Sequence, residues 1–335
     1  MAGGIKALRR CQLGKETTAG TATDATAIWR GEVNTWQDDT DLVFVPENVG
    51  IGGGTTRSYT PMVGCRLSIP DTPATFEQLP YIFNAGIKGV TGSQDGTGSG
   101  YTYTYALATS AANTLYTYTI ETGDNQEEEE SAYCFVESFK LSGKPKEGIM
   151  MSAEWIGRQV ATGTFTALTA GDLDSVTEMS FGQSTLYIDT TGGTFGGTQK
   201  TSTLLGFDLS VSGCAKPVFT GDGELYFTFA QALFPELKLD LTLEYDTTGV
   251  GAVQDFRDQD ERLLRLKVEG ASLSTASSYS KKTLIIDMAG QFSDPQPLGD
   301  IDGDDVVTVT FNGRYNETAS DLGKFIVVNE LSALG

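Results

Sequence analysis

The chain contains no histidine. That absence excludes Ser-His-Asp and Cys-His nucleophile arrangements and removes the commonest ligand for zinc, iron and copper. Cysteine is scarce. Cys11, Cys65, Cys134 and Cys214 are widely spaced, without a C-x-x-C pair or zinc-ligand spacing. They read as reduced, small apolar residues, as expected for a chain made in a reducing cytoplasm. Only three tryptophans occur, Trp29, Trp36 and Trp155. Cations are also in deficit: 23 Lys and Arg stand against 44 Asp and Glu, a net charge of −21. Tight nucleic-acid binding needs clustered cations that displace counterions, so the balance argues against it. No stretch approaches the ~18 apolar residues of a membrane helix. The opening MAGGIKALRRCQLGKETT has no apolar core of a secretory signal.

Motif chemistry is equally thin. GKETT (14–18) has the tail of a phosphate loop, but Arg9 stands where its first glycine belongs, and a polar turn is the better reading. DIDGDD (300–305) lacks the glycine position and closing glutamate of a calcium loop and reads as an acidic surface turn. The run Glu127 to Glu130 reads as a solvated loop. No catalytic, cofactor-binding or metal-ligating residue is therefore expected, and the chain is read as a non-enzyme.

What is present is alternation. Apolar residues are 39% and aromatics 10% of 335 residues, enough for packed cores and long enough for two domains. Ser131 to Val160 contains two alternating runs around Gly143-Lys-Pro-Lys-Glu-Gly148. Tyr133, Phe135, Phe139 and Leu141 form one row, broken only by Glu137; Ile149, Met151, Ala153 and Trp155 form the other. Further strands are expected at 65–69, 101–106, 113–121, 204–213, 223–229, 237–246, 262–270, 282–292 and 306–315. A helix is expected near 74–84, capped by Asp71 or Thr72 with Pro73 first and Pro80 as its weak point. A second, short helix is expected near 229–237.

The expected fold is mainly β: packed antiparallel sheets of sandwich or barrel-like form, with one short flanking helix and long loops. Residues 1–60 read as an extended arm and loop, 61–165 as a first β domain and 166–335 as a second, with a linker at 161–175. A Ser-Gly and Lys-Pro echo between the two halves makes them candidates for related domains.

CQLGKETTAGTATDAT (11–26), FEQLPYIF (76–83), the 134–160 hairpin and the C-terminal TLIIDMAGQF…PLGDIDGDDVVTVTF…FIVVNEL (283–331) carry a family likeness. In that order they resemble the major tail tube proteins of long-tailed, non-contractile (siphovirus-type) bacteriophages. The resemblance implies packed sheets flanked by a helix, joined edge to edge into stacked rings that form a hollow conduit for DNA delivery. It implies self-association, with a two-domain trimeric ring of pseudo-sixfold symmetry favoured and a hexamer as the alternative. Other implied partners are the tape measure and other tail proteins, with genome DNA passing the lumen without specific binding, no membrane and no cofactor. Localisation would be the virion tail, after synthesis in the bacterial cytoplasm. Two rivals are a phage head or decoration protein and a carbohydrate-binding β-sandwich.

Two sets of residues follow as candidates. Glu137 and Glu154, on alternate positions of the 133–160 hairpin, are candidate lumen-facing acids. Trp29, Trp36, Val43, Phe44 and Val45, apolar residues in an irregular arm, are candidate inter-subunit contacts.

Overall fold

Alternating apolar residues put most of the chain into antiparallel strands, and the protein is mainly β with two helices. The computed structural model describes residues 3–169 and 172–334. Residues 1, 2, 170, 171 and 335, which fall in the expected arm, linker and second domain, lie outside the described residues. The chain opens with β1 (Arg10–Lys15), β2 (Ala27–Ile28), β3 (Gln37–Asp38) and a hairpin of β4 (Val43–Val45) and β5 (Arg57–Tyr59). Next come β6 (Cys65–Pro73), helix α1 (Leu79–Gly86), β7 (Ser93–Gln94), β8 (Tyr101–Ala106) and β9 (Tyr118–Gly123). Then follow β10 (Glu128–Gly143), β11 (Met150–Gly157), β12 (Ala161–Thr162), β13 (Ser184–Thr190), β14 (Gln199–Lys200) and β15 (Leu204–Ser212). A second hairpin, β16 (Ala215–Val218) and β17 (Phe229–Ala232), precedes β18 (Glu236–Glu244) and helix α2 (Thr247–Asp258). The chain closes with β19 (Glu261–Ser272), β20 (Lys281–Ser293), β21 (Gly299–Ile301), β22 (Asp304–Gly313) and β23 (Gly323–Asn329).

One sheet runs β3-β6-β11-β10-β15-β18-β22-β21. A second runs β14-β13-β19-β20-β23-β8-β7 and joins the first where Gly290 to Ser293 of β20 pair with β22. A smaller sheet, β2-β1-β9-β10-β12, uses the first half of β10. Followed from strand to strand, these pairings never return to their start, so the sheet is open and no barrel closes. The main core lies between the first two sheets and around α1, and includes Phe83, Tyr105, Phe139, Leu239 and Phe325. β10 of the first half pairs with β15 of the second, and β23 pairs with β8, so both halves contribute to one core.

The 133–160 hairpin forms, but its two rows differ. Ile149, Met151, Ala153 and Trp155 all enter the main core, as their alternation requires. The β10 row does not share one face. Val136 faces Trp155 and Ser138 faces Glu154, which leaves Glu137 as the extra residue of a β-bulge. A bulge shifts the parity of a strand. Cys134 and Val136 therefore enter the main core before it, and Phe139 and Leu141 after it. Tyr133 and Phe135 lie instead in a separate cluster with Ile156, Ala215 and Phe227.

Several element boundaries depart from expectation. β6 continues through Pro73, so Asp71 and Thr72 cap nothing; α1 begins at Leu79, and Pro80 sits in its first turn, where a missing N–H costs little. Every residue of α1 is buried, so it is a core helix and not an amphipathic one. Residues 229–232 are strand β17 and not a helix, paired with β16 and followed by Pro235. The second helix is α2. Asp246 caps it, accepting from Thr248 N and Gly249 N at 2.7 and 3.0 Å, and Gln259 ends it at φ 58°. Of the expected 223–229 strand, 223–228 are a loop whose Phe227 and Thr228 carbonyls accept from Arg158 at 3.1 and 2.6 Å, and only Phe229 is strand. β9 starts at Tyr118, later than the expected 113. The 161–175 stretch is laced to the small sheet: Phe165 N donates to Glu128 and Thr166 N to Glu121.

Charges inside the fold are met by ion pairs or by hydrogen bonds. Asp287 is fully buried and accepts two bonds from the Arg265 guanidinium, at 2.6 and 2.8 Å, with the Lys324 ammonium 3.7 Å away. Lys282 is buried against Glu77 at 2.7 Å. Removing one partner of such a pair strands the other charge. Asp287→Ala should therefore cost about 3–5 kcal/mol in urea unfolding. Asp287→Leu combined with Arg265→Met should cost less than that single change. An Asp287→Ala midpoint equal to wild type would contradict this account.

Candidate functional site

The first sheet has two unlike faces. Leu67, Met151, Leu141, Leu209, Leu239 and Val309 point into the core from six adjacent strands. The opposite face is polar and ordered in rows by the strand register. One row runs Ser152, Lys140, Ser210, Lys238, Asn312. The next runs Met150, Ser142, Asp208, Asp240, Thr310. In these two rows the alternating pleat brings a polar residue from each strand to the same face, Met150 excepted. This face runs from β6 to β22, with Lys140, Asp208 and Lys238 exposed along it.

Glu137 and Glu154 both lie on it. The bulge that breaks the apolar row is what places Glu137 there. Its carboxylate accepts from Arg66 at 2.7 Å, and Arg66 also donates to Asp39 at 3.1 Å. Glu154 accepts from the Ser68 hydroxyl at 2.7 Å. Asp208, Glu236 and Asp240 join them on neighbouring strands. The cations on this face are Arg66, Lys140 and Lys238, and Lys238 is 3.2 Å from Asp240. The acids Glu154, Asp208 and Glu236 have no cation partner among the described residues.

The expected inter-subunit residues divide into two groups. Trp29 and Trp36 are buried in the protein's own core, at 5% and 8% exposure, which removes them from the outer surface. Val43 and Phe44 are exposed and Val45 is half-buried, on the separate β4–β5 hairpin. Leu42, Val49, Ile51 and Tyr59 add further exposed apolar side chains to the same projection. Glu47 braces its base, accepting from Thr56 and Arg57, and those bonds hold its carboxyl below the usual range. Nor is the arm wholly irregular. β1 is a central strand whose Cys11, Gln12, Leu13 and Gly14 are buried, and Gln12 donates to Glu121 at 3.0 Å.

Among the described residues, other chemistries find no constellation. DIDGDD is a two-residue hairpin turn, with Asp302 and Gly303 at φ 56° and 94° and Asp300 opposite Asp305. Among the described residues, no three His, Cys, Asp or Glu side chains converge as a metal cage. All three tryptophans are buried, so none forms an exposed sugar platform. The four cysteines are buried and unpaired. No protein-family model and no curated protein matches the sequence.

Burial pushes the Cys11, Cys65 and Cys214 thiols up to about 12, and Cys134 is raised by the same cause. A thiol held protonated does not attack an alkylating reagent. Iodoacetamide at about pH 8 should leave the native chain unmodified and add to all four cysteines after unfolding in urea. Rapid modification of native protein would show that the core around β1 and β6 opens readily.

Proposed function

We propose that this chain is the repeating subunit of a hollow tube that conducts DNA, as its resemblance to siphovirus-type tail tube proteins implies. The observation that carries the reading is the open antiparallel sheet with a continuous polar face. A lone open sheet is a liability, because its margins offer unpaired strand edges. Edge-to-edge closure with further copies removes that liability and turns the polar face into the wall of a lumen. A trimeric ring remains the favoured stoichiometry in this reading, with the halves acting as two related domains. The β4–β5 hairpin contacts a neighbouring subunit or ring, since exposed Phe44, Val49 and Ile51 gain burial only on assembly.

Function follows from the charge of that wall. A conduit that passes duplex DNA must not hold it, and every Lys or Arg contact to phosphate adds salt-sensitive attraction. Screening confines the field of the wall to about 8–10 Å at physiological ionic strength. Acids act only if they lie on the wall itself, as Glu154, Asp208 and Glu236 do in this reading.

Electron microscopy of the purified protein should show rings or tubes; stable monomers or solid caps under all assembly conditions would overturn the reading. In assembled tubes, hydrogen exchange across residues 41–60 should slow markedly relative to monomer, and equal exchange in both states would remove the hairpin from the interface. Glu154→Lys, Asp208→Lys and Glu236→Lys together should leave tubes intact but make them retain duplex DNA. That retention should weaken steeply as salt rises. Tubes that ignore DNA after these reversals would refute the charge argument.

A further inference from the structure

The two margins of the first sheet carry opposite charge. At the β6 margin, residues 30–38 run along the outer edge, with Asn34 N bonded to Ser68 O at 3.2 Å and β3 paired to Cys65 and Arg66. Against this margin lies a pocket of 460 Å³ whose lining includes Lys6, Arg9, Arg10, Ile28 and Val33, with Glu32 as its one acid. Its basic character is local and unusual for this chain. Lys6, Arg9, Arg10 and Lys15 all precede the first acid, Glu16, in a protein of net charge −21. Arg9 is exposed and has no ion pair among the described residues. Lys6 meets only Glu32, at 3.1 Å and with both side chains near 70% exposed, a pair of little worth. Trp29 is 5% exposed, yet its Nε1–H has no acceptor.

At the other margin, the β21–β22 hairpin presents Asp300, Asp302, Asp304 and Asp305 around a two-residue turn. Asp300 lies directly opposite Asp305, so like charges face each other across the ladder. None of the four has a cation partner among the described residues. Leu298 and Ile301 beside them are 49% and 45% exposed. This tip is acidic and apolar, and the pocket is basic and apolar. Within one chain they cannot meet, because six inter-strand steps separate β6 from β21, roughly 25–30 Å at ~4.8 Å per step.

We propose that the Asp300–Asp305 hairpin of one copy seats in the Lys6–Arg9–Arg10 pocket of the next. The inference rests on the ring reading above and specifies its contact. Because the two surfaces differ and lie at opposite margins, the contact is head-to-tail, the kind that propagates into a ring. Charge also forbids the wrong pairings, since acidic tip against acidic tip and basic pocket against basic pocket both repel. The tip sets direction and register of the contact.

The test is a charge exchange in the full-length chain. Lys6→Glu with Arg9→Glu changes only exposed residues, and Asp300→Lys with Asp305→Lys keeps Asp302 and Gly303 of the turn. Each pair alone should raise the concentration needed for assembly by about tenfold or more, with unchanged circular dichroism. All four substitutions in one chain should restore assembly to near wild type. Single pairs that assemble normally, or a four-fold variant that is not rescued, overturn the proposal. A cyclised, dye-labelled peptide of residues 297–306 separates this contact from the ring reading. It should bind the wild-type chain and lose affinity by about tenfold with Lys6→Glu and Arg9→Glu. Peptide binding to a chain that never forms rings would uphold the contact and sink the ring. Rings without peptide binding, and indifferent to the reversals, would do the opposite.

Discussion

The backbone of β10 must be satisfied along sixteen residues, and no single neighbour reaches that far. Its first half pairs with β9 and β12, its second half with β11 and β15. The first sheet and the smaller sheet meet at this division. A strand with one fixed parity could not serve both halves, because the core lies differently against each. The bulge at Glu137 changes the parity in mid-strand. It lets Val136 and Phe139 face the same core although three positions separate them. The same shift turns Tyr133 and Phe135 outward, where the β16–β17 hairpin covers them through Phe227. Arg158 fixes that cover by bonding the Phe227 and Thr228 carbonyls while lying over the Tyr133 ring at 4.5 Å. The bulge at Glu137, with a second irregularity between Ser131 and Cys134, thus sets the core, the polar face and the satellite cluster.

Much of this was legible in the sequence, and the failures have identifiable causes. Strands with strict alternation, such as Leu237 to Leu243 and Ile149 to Trp155, lie where their period puts them. Helix α2 was missed because Gly249 and Gly251 depress its propensity. Gly249 is required, however, since a Cβ there would lie 2.4 Å from Glu244 O. The core strand β1 was missed because RCQLGK carries polar residues at buried positions. Gln12 is buried only because Glu121 and the Thr166 carbonyl receive its amide, partners more than a hundred residues away. Similarly, Trp29 and Trp36 looked like contact residues because nothing local showed what would bury them. Glu137 and Glu154 could be placed on a surface by period alone, but which surface depends on sheets assembled from distant segments.

Electrostatics separates the interior from the margins. Inside, Glu16 accepts from Gly20 N, Thr117 and Thr119 hydroxyls and Tyr133 N, so a buried carboxylate is held entirely by hydrogen bonds. Asp287 and Glu77 are held by cations. Desolvation is costly enough that an unpartnered acid would not persist in these places. At the surface the constraint is lifted, and acids accumulate without partners on the polar face and at the β21–β22 turn. A net charge of −21 favours solubility and opposes indiscriminate association of copies. Any association must then occur where charge is locally reversed or absent.

That condition selects few places. The β4–β5 hairpin is apolar with its one acid already paired, and the Lys6–Arg10 segment is basic. Both lie in the first sixty residues, the stretch whose sequence looks least like a folded domain. In the tube reading its composition follows from its position, since residues that meet a partner need not be satisfied within their own chain. Short β3, β7, β14 and β21 meanwhile occupy the sheet edges without filling them, since each pairs with only two or three residues of its neighbour. Brief edge strands of this kind hinder uncontrolled pairing while leaving the longer strands behind them within reach of a specific one. These short segments therefore guard the sheet margin, and in the tube reading the longer strands behind them carry the specific pairing.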